Sequence, residues 1–150
     1  MKVKIKKLHP NATVPKYATS GSSGFDLVAI ETVTFMPGET KLIETGLAFD
    51  VSPGYELQIR PRSGMSLKTP MRVSNAPGSV DSDFRGQVCV IMTHSGISTC
   101  DDKQDLDYTV KAGDRIAQGV VAGVEQAEFE VVESLDETDR GTAGFGSSGQ

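Results

Sequence analysis

A chain of 150 residues with 37% hydrophobic and 23% charged residues is long and apolar enough to bury the core of one domain. Its 15 Lys and Arg against 20 Asp and Glu leave a net charge of −5, which excludes the broad basic field of a protein that tracks a nucleic-acid backbone. No run of 18 apolar residues is present and no apolar stretch follows the basic residues 1–7, so neither a membrane span nor a secretory signal is expected.

Short β-type runs follow one another along the chain. Residues 3–8 alternate Val, Lys, Ile and Lys. Residues 32–36 precede the turn Pro37-Gly38-Glu39, and residues 40–51 carry Leu42, Leu47, Phe49 and Val51. After Ser52-Pro53-Gly54, residues 55–59 keep a clean period of two. Further runs are expected at 71–74, 87–93, 108–111, 115–124 and 128–135, with a single helical turn near 63–68. With 16 Gly and 7 Pro as punctuation, the pattern predicts an all-β sandwich or barrel.

Two segments break the strand rhythm. Residues 98–107 hold Asp101, Asp102, Asp105 and Asp107 and predict an exposed acidic loop; they lack the glycine and closing glutamate of an EF-hand. Residues 140–150 hold four glycines and no β pattern, which predicts a flexible arm after a core of 1–139. Cys89 and Cys100 form no CxxC pair, and His9 and His94 are the only histidines. Reduced thiols in a cytosolic protein are expected, with no zinc site and no histidine-activated nucleophile.

Four polar, glycine-punctuated clusters stand where core strands would place Val and Ile. Arg60-Pro61-Arg62-Ser63-Gly64-Met65-Ser66-Leu67-Lys68 leads into the helical turn, and reads as a phosphate site or as a solvated surface turn. Residues 75–87 read as a β-hairpin whose connection carries Asn75, Asp81 and Phe84. Alone, it is a base-and-carboxylate site or simply a turn. Gly113-Asp114-Arg115-Ile116-Ala117-Gln118 enters an apolar strand, where Gln118 is a ligand group or a structural amide. Arg140-Gly141-Thr142-Ala143-Gly144-Phe145-Gly146-Ser147-Ser148-Gly149 formally satisfies G-x-G-x-x-G, but no helix can follow it, so a dinucleotide fingerprint is excluded. A frayed end or an arm folding over a nucleotide remains.

In order and spacing these clusters resemble the motif set of the trimeric dUTPase family. The match begins at Ser23-Gly24-Phe25-Asp26-Leu27 and runs through RPRSGMSLK, NAPGSVDSDFRG and GDRIAQ to RGTAGFGSSG, covering residues 23–149. The resemblance implies a β jelly roll (a dUTPase-like β-clip), a homotrimer with sites built from more than one chain, and hydrolysis of dUTP to dUMP and pyrophosphate. That reaction keeps uracil out of DNA and supplies dUMP for dTMP synthesis. It also implies roles. Asp81 activates water for attack on the α-phosphorus. Asn75 and the hairpin near Gly78 and Cys89 face uracil, and Phe84 underlies the sugar. Arg62, Ser63, Gly64 and Gln118 bind phosphates, while Arg140, Phe145, Gly146, Ser147 and Ser148 close the arm over the γ-phosphate and the base. Mg²⁺ rides on the triphosphate, with Asp26 touching it through water and no direct protein ligand.

Two departures stand out: Phe84 and Phe25 occupy positions where the family usually places tyrosine. A deaminase of dCTP on a related fold, or a nucleotide-responsive trimer that binds a partner, are the rival readings. The intact SVDSDFRG and GFGSSG motifs argue against the first, and Asp81, Arg140 and Phe145 against the second. The acidic loop 98–107 is where a protein partner would sit. No nucleic-acid or membrane partner is expected. The expected place is the cytoplasm, or a host's cytoplasm or nucleus for a viral gene.

Overall fold

Leu57 and Ile59 are buried while Tyr55 and Arg60 on the same strand are exposed, as in a strand with one face on a core. This alternation recurs through a computed structural model that describes residues 1–96 and 106–144. Its strands are β1 (Lys4–Lys7), β2 (Phe25–Val28), β3 (Val33–Phe35), β4 (Thr40–Asp50), β5 (Tyr55–Arg60), β6 (Met71–Val73), β7 (Gly78–Val80), β8 (Val88–His94), β9 (Tyr108–Val110) and β10 (Arg115–Gly123). One short helix, α1 (Ser63–Lys68), lies between β5 and β6, where the sequence predicts a helical turn.

All the pairings are antiparallel. One sheet runs β1-β4-β8-β6, a second β2-β10-β5-β7, and β3 pairs with β9 alone. Ile43, Leu47, Val90, Met92 and Met71 from the first sheet meet Leu27, Leu57, Ile59 and Ile116 from the second in one core, the packing of a β-sandwich. Leu57 has no exposed surface, so its burial stabilises the fold by about 1.5–3 kcal/mol. Truncating it to alanine should cost about 2–5 kcal/mol.

β4 can be long because it bends. Glu44 faces Cys89 but Leu47 faces Val88, so Thr45 and Gly46 are extra residues on one side of the ladder. Gly46 has φ +67, and a Cβ there would sit 2.9 Å from the Cβ atoms of both His9 and Ala12, so only glycine fits. The buried Thr45 hydroxyl donates to the Val88 carbonyl and accepts from Leu47 N–H, filling the gap in the ladder.

The structure corrects three expectations. Residues 75–87 are not a simple hairpin connection. β6 and β8 do pair, but the chain between them crosses to the other sheet and adds β7 beside β5. Residues 128–135 form no strand: Phe129 is 93%, Val131 100% and Leu135 87% exposed. Among the described residues their apolar side chains have no covering partner. Phe25–Val28, read from sequence only as part of the first family-like motif, is a strand whose Phe25 and Leu27 face the core. Of the expected acidic loop, Leu106 and Asp107 are described, both exposed, and the rest lies outside the described residues.

Candidate active site

The outward face of the second sheet begins the site. Register sets Gln118 of β10 opposite Asp26 of β2 on one side and Arg60 of β5 on the other. The neighbours Leu27, Ala117 and Ile59 point into the core, so these three side chains form a polar row outside it. Asp26 accepts from Arg62 Nε at 2.8 Å and from Arg115 Nη1 at 3.2 Å, and Arg62 Nη1 also donates to the Arg115 carbonyl at 3.0 Å. Two guanidinium groups around one carboxylate leave a surplus positive charge, already oriented, for an arriving anion.

Arg62 is also the residue before α1. The first backbone bond of the helix runs from Ser66 N–H to the Arg62 carbonyl, so the N–H groups of Ser63, Gly64 and Met65 precede the helical ladder. A Cβ at Gly64 would meet nothing within 4 Å, so an anion can approach this turn closely. Beside the row opens a cleft lined by Lys16, Ala18, Ser22, Ser23, Gly24, Asp26 and Gln118. Cation, hydroxyls, backbone and amide together suit a polyphosphate.

A second group of residues lies at the far end of the same face. Val80 pairs with Leu57 and Ser79 with Gln58, so Asp81 leaves β7 opposite Glu56 and is exposed. Its turn is closed by Phe84 N–H donating to the Asp81 carbonyl at 3.1 Å. The Phe84 ring lies over Gly86, where a Cβ would come within 2.5 Å of Cζ, yet the side chain remains 45% exposed. A groove of ≈ 810 Å³ runs past Asp81, lined also by Tyr55, Glu56, Ser79, Asp83 and Gln126.

Asn75 and Gly78 lie together at the start of β7, while Cys89 lies on β8 of the first sheet, opposite Glu44. A Cβ at Gly78 would sit 3.0 Å from Asn75 Nδ2, so the glycine makes room for that amide. Ser74 N–H donates to the Ile91 carbonyl at 2.9 Å, which carries the β6–β8 pairing one residue past Val73. Burial pushes the Cys89 thiol above its ordinary pKa and the Glu44 and Glu31 charges add to this, against a Gln87 hydrogen bond that lowers it. The thiol therefore stays protonated at neutral pH.

The two groups do not meet within one chain. From Asp26 to the Asp81 end of β7 is three strand spacings, about 14 Å, and four residues along β5 add about 13 Å. Arg140 joins neither group; its Nε donates to the Ala143 carbonyl at 3.1 Å in an exposed turn. Phe145, Gly146, Ser147 and Ser148 lie outside the described residues. Sequence reading missed Arg115 and Lys16 as site residues. An arginine opening a strand three positions before Gln118 was a usable signal, whereas Lys16, in irregular chain, gave none. Among the described residues no three His, Cys, Asp or Glu side chains are grouped to hold a metal, and no helix is long and apolar enough to cross a membrane.

The family model described as dUTPase matches residues 10–149. The deoxyuridine 5'-triphosphate nucleotidohydrolase of Helicobacter pylori strain P12 is 50% identical over 149 residues, covering 99% of this chain and 97% of that protein. The protein of the same name from Wolinella succinogenes is 49% identical over 150 residues, covering 100% and 95%. Among solved structures, Staphylococcus bacteriophage 80alpha dUTPase with dUPNHPP superposes with a TM-score of 0.88 at 27% identity, over 99% of both chains.

Proposed function

We propose that this chain, which belongs to the dUTPase family, hydrolyses dUTP to dUMP and pyrophosphate, with Asp81 as the base. The observation that carries the mechanism is the division of polar residues into an anion-binding half around Asp26 and a half with an exposed carboxylate at Asp81. Phosphoryl transfer needs that division. The triphosphate has to be neutralised and aligned while a water is deprotonated on the opposite side of the α-phosphorus.

Asp81 takes a proton from water as its oxygen attacks the α-phosphorus in line, and the bond from that phosphorus to the oxygen bridging to the β-phosphate breaks. Pyrophosphate departs from the half built by Arg62, Ser63, Gly64 and Gln118. Asn75 and the backbone near Gly78 and Cys89 read uracil. A backbone N–H and C=O pair refuses cytosine, whose 4-position donates where uracil's accepts, and such hydrogen-bonded sites discriminate by roughly 10⁴–10⁵. Phe84 packs against the deoxyribose, where a ribose 2′-hydroxyl would crowd it. Arg140, Phe145, Gly146, Ser147 and Ser148 close over the γ-phosphate and base.

The cofactor is Mg²⁺. Both oxygens of Asp26 are engaged by arginines, but each keeps a lone pair for a metal-bound water, so the residues fit an ion that the triphosphate carries. When bound, it neutralises charge on the phosphates.

Two features support assembly as a homotrimer. Adjacent phosphates share one oxygen, so the Asp26 half and the Asp81 half must approach to a single phosphate spacing, which one chain does not allow. Exposed Phe129, Val131 and Leu135 each gain about 1.5–3 kcal/mol on burial against a neighbour. The acidic residues Glu128, Glu130 and Glu133 beside them complement the basic edge strand Lys4–Lys7. The core then runs to residue 139 by lending its last part to a neighbour, and residues 140–150 are the arm. The place of action is the cytoplasm, where dUTP arises.

The test is a panel of dUTP, dCTP, dTTP and UTP with and without Mg²⁺, assayed for pyrophosphate. Rapid turnover of dUTP alone, dependent on Mg²⁺, supports the reading; release of orthophosphate or deamination of dCTP overturns it.

A further inference from the structure

One side chain holds the turn that carries Asp81. Arg85 Nη1 donates to the Ser82 carbonyl at 2.6 Å and to the Phe84 carbonyl at 3.0 Å. Its Nη2 donates to Asp50 Oδ1 at 2.8 Å, and the other Asp50 oxygen accepts from Lys4 Nζ at 2.9 Å. Asp50 ends β4 and its backbone pairs with Lys4 of β1. The turn is therefore tied at two places. β7 joins its start to the second sheet, and Arg85 ties its far side to the first sheet through a carboxylate that Lys4 holds in place.

We propose that Asp50 and Arg85 are positioning residues for the Asp81 base, fixing its turn so that the carboxylate meets the attacking water. The proposal rests on the reading of Asp81 as base. An isolated exposed ion pair contributes little, and Asp50 and Arg85 are 35% and 56% exposed at the side chain. The arrangement differs from such a pair in what it fixes. The planar guanidinium bonds three acceptors at once, two of them carbonyls of a turn that extends beyond the last paired residue of β7. The work is done on geometry, where a displacement of about 1 Å costs much of the rate. Nothing in the sequence marks Asp50, since it lies outside all four clusters and the Ser23–Leu27 motif and ends an apolar strand.

The test compares Asp50→Ala, Arg85→Ala and the double variant as full-length chains, with Asp81→Asn as control. For each, kcat, the Kd of the non-hydrolysable imido analogue of dUTP and the thermal midpoint are measured. Each single variant is expected to lower kcat about five- to tenfold, about 1–1.4 kcal/mol on the barrier. Analogue affinity should stay within twofold, and the double variant should be no slower than Arg85→Ala, because Asp50 acts only through Arg85. Unchanged kcat in the single variants overturns the proposal, as do losses that multiply in the double variant. If Arg85→Ala fails to fold, Asp50→Asn replaces it: an amide keeps the shape without the charge, so kcat should fall less than in Asp50→Ala, and equal or no loss overturns the proposal. If Asp81→Asn retains its activity, the base assignment fails; if it is inactive while Asp50→Ala is unaffected, only the positioning role fails.

Discussion

Arg62 donates to Asp26 at 2.8 Å although 36 positions separate them in the chain. The pair, joined by Arg115 from a third segment, ties β2, the start of α1 and the start of β10 into one corner. Asp26→Asn keeps an acceptor oxygen but leaves two arginines without their shared counter-charge. We expect the Mg²⁺ concentration for half-maximal rate to rise and kcat/KM to fall about 10–100-fold, the usual effect of losing an outer-shell metal partner. A Mg²⁺ titration of the variant that overlays the wild-type curve would remove Asp26 from the metal's water shell.

Asp81→Asn tests the base. The amide keeps the shape of the carboxylate but cannot take the proton, so kcat should fall by roughly 10²–10⁴ while dUTP still binds. A rate within about threefold of wild type assigns the proton to another group.

The fold was legible where local pattern and tertiary partner agree. The helical turn at Ser63–Lys68 and the strand Tyr55–Arg60 are examples, since the pattern of a few neighbouring residues marks them. Residues 128–135 show the limit: the apolar positions are there, but among the described residues they pair with no strand and stay exposed, so local pattern alone predicts a strand that is not formed. β7 was hidden because three residues beginning with glycine carry too little pattern. In the site, residue types and order were legible in the clusters. The Arg115–Asp26 pair was not, since it spans 89 positions and depends on the sheet register.

Phe84→Ala should admit UTP, because this ring, half exposed over Gly86, is the group we propose to pack against the deoxyribose. The quantity to read is the ratio of kcat/KM for dUTP over UTP. It should fall, and an unchanged ratio means that another contact excludes ribose.

Burial chiefly, with Glu44 and Glu31, raises the pKa of Cys89 in the folded chain. The folded state therefore keeps that proton to higher pH than the unfolded state does. The resulting stability is intact below the ordinary thiol value of about 8.5 and is lost as pH rises from there through the folded value. Cys89→Ser should flatten the decline of thermal midpoint above that pH. An identical decline in wild type and variant would place its origin elsewhere.

The claim that one site draws on two chains is tested most directly by complementation. Asp81→Asn lacks the base, and an Asp26→Asn/Gln118→Ala chain lacks the phosphate half; each homotrimer should be nearly inactive. In a one-to-one co-refolded mixture, about one quarter of sites around a cyclic assembly should combine an intact base from one chain with an intact phosphate half from the next. About a quarter of wild-type activity is expected in that mixture. Mixed trimers, verified by mass, whose activity stays at the sum of the two homotrimers would contradict it.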